Sequence, residues 1–243
     1  MKTHYNAAIV AALLHLPPAV MLAAHAEDAV STVVQNGVGN LATVEQAPPL
    51  SSTAAAITQT GTGNAATVYQ QDTLVTNAAI VQTGNGNQVQ AAQRATGLSD
   101  IVASQIGSHN AATLTQQSIF PFLMQTSQRG TDNTIVITEI IGGFAGPVVT
   151  QDGTGNRASV FQYDDYYSGI EITQRGWRNR ADLSQTAAYM TDGMSILQQG
   201  ADNRATVFNT GQHNSMSVTQ TGNGAVASAS LSGNGNQGVI VQQ

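Results

Sequence analysis

Apolar and polar residues alternate along this chain with period two, in paired short runs divided by a fixed G-x-x-N spacer. Val33 and Gln35 lie two apart; beyond Gly37, the residues Asn40, Ala42, Val44 and Gln46 keep the same spacing. Side chains two apart share one face of a strand, so each unit predicts strand, tight turn, strand and then a looser turn. The inward face is predicted to hold Ile57, Ile80, Val149, Ile170 and Ile172 on the leading strands. On the returning strands it holds Leu114, Ile135, Ile137, Val160, Leu183 and Val207. Thr43, Thr67, Thr113, Ser159 and Thr206 fall on the other face, which predicts one buried and one wet side.

The unit recurs. The motif Q-x-G-x-x-N-x-A-x-V-x-Q starts at Gln35 and returns at Gln59, Gln82, Gln105, Gln128, Gln151, Gln174 and Gln198, with steps of 24, then 23 five times, then 24. Beyond Gln198 the step halves to 11, with Asn209, Gln220 and Leu231 in the Gln place and Gln242 closing the series. Repeats therefore start near residues 30, 54, 77, 100, 123, 146, 169 and 193, followed by half-repeats from 209 to 243. Ala47-Pro48-Pro49-Leu50 and Gly142-Gly143-Phe144-Ala145-Gly146 fall between copies and predict turns.

A strand pair of this length cannot bury its apolar face alone, so repeats of this period are stable only when stacked. The predicted fold is an all-β solenoid of strand-turn-strand rungs, about 23 residues per rung, with cross-β spacing of about 4.8 Å. Stacking also explains the inward amides. A buried amide left unpaired costs about 1–3 kcal/mol, whereas identical amides one above another donate and accept along a column. One predicted ladder is Gln35, Gln59, Gln82, Gln105, Gln128, Gln151, Gln174 and Gln198. A second is Gln46, Gln70, Gln93, Gln116, Gln162 and Gln185. A third, at the turn, is Asn40, Asn64, Asn87, Asn110, Asn133, Asn156, Asn179 and Asn203. Gly37, Gly61, Gly84, Gly107, Gly130, Gly153, Gly176 and Gly200 suit a backbone that needs positive φ. Motif character runs through Val239-Ile240-Val241-Gln242-Gln243, which predicts an end open to a second copy of the chain.

Composition agrees with this picture and excludes others. Only 9% of the 243 residues are charged, against roughly 25% in an ordinary domain. With 41% hydrophobic residues and a formal charge of −6, the chain also lacks the signature of disorder. It has no cysteine, which removes disulfides, thiolate metal sites and cysteine nucleophiles. Residues 1–26 have the form of a secretory signal: Lys2, an apolar run from Ala7 to Leu14, and small residues ending at Ala24-His25-Ala26. The repeat domain is then 27–243, with seven arginines against fourteen carboxylates.

Chemistry-bearing residues are scattered. Tyr163-Asp164-Asp165-Tyr166-Tyr167 is expected as a solvated turn whose charges discourage mispairing, and Asp132 and Asp202 as Asx-type turn formers. Trp177 with Arg175, Arg178 and Arg180 falls short of the run of basic residues that marks a nucleic-acid patch. His109 and His213 sit in turns of distant copies without neighbouring ligands. No metal, cofactor or nucleic acid is expected, and no catalytic constellation is found, so the chain is not expected to be an enzyme.

The paired glutamines, the G-x-x-N turn and the A-x-V strand resemble the curlin repeat, over about 210 of the 243 residues. The resemblance implies a functional amyloid subunit: an extracellular fibre at the bacterial cell surface, serving biofilm matrix, adhesion and aggregation. The partners it implies are further copies of the chain stacked end to end, another curlin-type subunit, and the curli export and assembly machinery. The sequence departs from the usual major subunit in having more repeats and no Gly-rich leader. Its arginines Arg157, Arg175, Arg178, Arg180 and Arg204 and its 11-residue phase look more like the minor, nucleating subunit, so fibre builder and nucleator both stay open. A soluble solenoid presenting a Thr array to ice or polysaccharide is a weaker alternative, because Gln90, Val136 and Asp182 break that array.

Overall fold

The computed structural model describes residues 19–24, 29–119, 122–144, 146–167, 169–188 and 193–243. Period-two patterning produces strands alone: among the described residues there are twenty strands and no helix. One ten-stranded sheet contains β1 (Ala19–Ala24), β3 (Leu41–Ser51), β5 (Ala65–Leu74), β7 (Gln88–Arg94), β9 (Ala111–Ile119), β11 (Thr134–Gly143), β13 (Arg157–Tyr166), β15 (Arg180–Thr186), β17 (Arg204–Thr210) and β19 (Val226–Ser232). The other contains β2 (Ala29–Val38), β4 (Thr53–Thr62), β6 (Asn77–Asn85), β8 (Ser99–Ser108), β10 (Phe122–Thr131), β12 (Pro147–Thr154), β14 (Ile170–Trp177), β16 (Met194–Ala201), β18 (Ser215–Asn223) and β20 (Gln237–Gln242). Every pairing is parallel, and consecutive strands alternate between sheets. The chain is therefore a β-solenoid of about nine turns, as the repeat period predicts.

The register follows the motif. Gln59 lies opposite Gln35 and Gln82, and Val68 lies opposite Val44 and Ala91. The core sits between the sheets, built from columns such as Ile57–Ile80–Ala103 in one sheet and Leu114–Ile137–Val160 in the other. Every apolar residue named for the predicted inward face is in it and is buried.

Two expected turns lie elsewhere. Ala47-Pro48-Pro49-Leu50 is inside β3, where the register shifts between Ala47 and Leu50. Proline cannot donate to the ladder but is tolerated at such an irregularity, so the corner moves to Ser52, at φ 50°. Gly142 and Gly143 are buried residues of β11, and the corner comes at Phe144, at φ 75°. The 11-residue phase is explained by the looser turn becoming tight: Gly211–Asn214 and Gly233–Asn236 repeat the G-x-x-N spacing. Gln198, Gln220 and Gln242 then share one sheet, while Gln185, Asn209 and Leu231 share the other.

The expected leader, residues 1–26, lies outside the described residues except for Ala19–Ala24. That segment is β1 and lies against β3, with Ala19 opposite Leu41 and Ala24 opposite Gln46.

Candidate functional site: the stacked amide columns

A Gln at the same inward position of every strand in one sheet, with neighbours in zero-offset register, places each amide directly over the next. Gln35 Nε2 donates to Gln59 Oε1 at 2.6 Å. The column continues through Gln82, Gln105, Gln128, Gln151, Gln174, Gln198 and Gln220 to Gln242, at 2.7–3.0 Å per bond. From Gln59 to Gln220 each Nε2 also donates its second hydrogen to a backbone carbonyl of the facing strand; Gln105, for example, reaches Gln88 O at 2.9 Å. Both hydrogens of each amide are thereby used in a dry interior.

The Asn column at the tight turn runs the other way. Asn64 donates from both its backbone N and Nδ2 to Asn40 Oδ1, at 3.0 Å each. Nδ2 also reaches back to Thr60 O and forward to Gly84 O. The pattern repeats at Asn87, Asn133, Asn156 and Asn179, and at Asn110 without the bond back to the carbonyl four residues before; the column ends at Asn203, whose Oδ1 accepts from Ala225 N. Gln donors point toward higher residue numbers and Asn donors toward lower ones, so the two chains of amide dipoles oppose each other.

The glycines of the tight turn explain why no larger residue stands there. Gly107 has φ +125°, and a Cβ on it would overlap the carbonyl oxygen of Gly130 in the next rung. Gly37, Gly61, Gly84, Gly130, Gly153, Gly176 and Gly200 are in the same position, each against the glycine above it.

The second Gln column is less regular. Gln46 donates to Gln70, Gln70 to Gln93 and Gln93 to Gln116, at 2.8–3.1 Å, and Gln162 donates to Gln185 at 3.2 Å. Between Gln116 and Gln162 stands Glu139, fully buried and in register with both. Burial, and after it the charge of Asp165, holds its carboxyl well above the usual carboxylate range. Sequence reading passed over Glu139 because it looked only for amides. The 23-residue step from Gln116 leads to it.

Several outlying residues differ from expectation. Asp165 is buried, 2% exposed, and accepts from Gln162 Nε2 at 2.5 Å, so the Tyr163–Tyr167 segment is not simply a solvated turn. Asp132 and Asp202 take the left-handed slot that Gly39, Gly63, Gly86 and Gly155 take in other rungs, as do His109 and Arg178. There Asp202 accepts two bonds of 2.7 Å from Arg178, which lowers its pKa. Arg180 pairs with Asp182 at 2.6 Å. Two of the three arginines near Trp177 are thus engaged with carboxylates, while Trp177 itself is 61% exposed. Among the described residues, no three His, Cys, Asp or Glu side chains converge.

The stretch from Met194 to Gly222 contains β16, β17 and the Gln198–Gln220 step of the ladder. Residues 194–222 match the curlin associated repeat. The matched stretch is about one turn of the solenoid, and the turns below it carry the same Gln, Gly and Asn columns. A curlin repeat within a β-solenoid is consistent with a curli-like structural protein. No curated protein matches the chain.

Proposed function

We propose that this chain is a secreted structural protein that assembles into extracellular curli-like amyloid fibres, serving biofilm matrix, adhesion and aggregation. The observation that carries this reading is the unbroken Gln column from Gln35 to Gln242, an arrangement that a further copy can extend without new chemistry. Its two ends are complementary. Among the described residues Gln35 Oε1 has no donor, and Gln242 Nε2 donates to Val226 O, at 2.9 Å, and to no other group. Strands β2 and β20 each pair along one edge among the described residues, which leaves backbone groups to meet a second molecule. In this reading residues 1–26 direct export and are removed, the curli export and assembly machinery handles the chain, and the partner is a further copy of itself.

Nucleation of a separate curlin-type subunit is the second reading. It is favoured by Arg157, Arg180 and Arg204, which stack in one column on three successive rungs close to the matched repeat. Residues 27–243 at micromolar concentration are expected to polymerise after a lag and to bind thioflavin T. Substoichiometric chain that shortens the lag of another curlin, without polymerising alone, would assign the nucleator role. A chain that stays monomeric for days and seeds nothing would refute both readings.

A further inference from the structure

In the second Gln column each amide donates upward to the carbonyl oxygen of the next. That order fixes what Glu139 must supply. Gln116 Oε1 is already used by Gln93, so Gln116 offers Nε2 to Glu139; that nitrogen has no other acceptor. On the other side Gln162 uses Nε2 on Asp165 and Gln185 and offers Oε1, which has no donor. Among the described residues both oxygens of Glu139 are likewise without partners. A carboxylate can only accept, so it could serve Gln116 but would set a charged oxygen against the Gln162 acceptor. A carboxylic acid accepts at one oxygen and donates from the other.

We propose that Glu139 is a proton-binding site of the solenoid, its carboxylic acid replacing an amide by accepting from Gln116 Nε2 and donating to Gln162 Oε1. The surroundings leave a proton as the ligand that fits. A metal ion would confront the Gln116 N–H. Among the described residues no cation compensates the charge: β9 carries no titratable group, Arg129 of β10 and Arg157 of β13 are exposed, and so are Asp152 of β12 and Tyr163 of β13. Asp164 and Tyr166 are half-buried, and Asp165 is the buried neighbour, whose negative charge opposes ionisation of Glu139. The raised pKa agrees with this assignment.

Folding then takes up a proton at neutral pH. Because the folded state holds the proton more tightly than the unfolded chain, the folding constant falls as pH rises above the ordinary Glu value of about 4.3, by up to about tenfold per pH unit until the folded carboxyl ionises. The site therefore favours formation of the stack in acidic surroundings.

The test is infrared spectroscopy of the sheet-form chain at pH 7, whether monomeric or fibrous, for wild type, E139Q and D165N. The amide I band reports independently whether the stack has formed. Wild type is expected to show a protonated-carboxyl C=O band that E139Q lacks. E139Q should fold and lose the fall of up to about tenfold per pH unit in the folding constant over the same range, because a Gln there restores the column and does not titrate. D165N should retain the band at pH 7, because burial is the larger cause of the shift, and should ionise at a lower pH than wild type, because the opposing charge of Asp165 is gone. The proposal is overturned if folded wild type shows no such band, if E139Q retains it, if D165N abolishes it, or if E139Q fails to fold.

Discussion

Gln105 Nε2 donates to Gln128 Oε1 at 2.7 Å and to Gln88 O at 2.9 Å, so a single side chain joins two rungs of one sheet and ties that sheet to the facing strand. Repeated from Gln59 to Gln220, this three-way tie makes the stack a lattice of amides enclosed between two apolar layers.

Removing one member should be felt on both sides. Gln105→Ala leaves Gln82 Nε2 without one acceptor and Gln128 Oε1 without its donor. The expected loss is about 2–5 kcal/mol of stability from two unsatisfied buried groups and the cavity. Thr67→Ala, on the exposed face, should cost less than about 0.5 kcal/mol. Denaturant unfolding of the two variants provides the comparison, and equal losses would refute the role given to the ladder.

The turn glycines make a sharper contrast. Gly107→Ala meets both an unfavourable φ of +125° and the Gly130 carbonyl, and the same clash would have to be accommodated by a shift of the whole rung. Gly97→Ala meets nothing within 4 Å at a φ open to any residue. The first is expected to prevent sheet formation, read by circular dichroism or thioflavin T, and the second to leave it unchanged.

Much of the fold was legible because its signals repeat. Period two fixed the strands, the 23-residue step fixed the rungs, and Gly107 and Asn110 stand at the same distances from Gln105 as Gly130 and Asn133 do from Gln128. The rest lay where tertiary context overrides local preference. Pro48-Pro49 predicts a turn by composition, yet a register irregularity in a long strand absorbs both residues. Asp165 looks like a surface acid because its neighbours are tyrosines and another Asp; only the rung above and below determine that it is buried. Glu139 hid for the opposite reason, since its position was fixed by the period while its chemistry did not match its column.

Asp202 should titrate with the opposite sign to Glu139. Its bonds from Arg178 hold its pKa below the ordinary Asp value, so what the pair contributes is present above about pH 4 and is lost as pH falls through the lowered folded value. Both side chains are exposed, so Asp202→Asn is expected to flatten that acid limb while changing neutral-pH stability little, and less at high salt. Thermal unfolding from pH 2 to 6 at two salt concentrations checks this.

The central claim is that copies of this chain extend one another's rungs in register. X-ray diffraction from aligned fibres of residues 27–243 tests it most directly. The account predicts a meridional reflection near 4.8 Å, from strands perpendicular to the fibre axis, and an equatorial one near 10 Å, from the two facing sheets. Failure to form fibres, or fibres in which the 4.8 Å reflection lies on the equator, would contradict it.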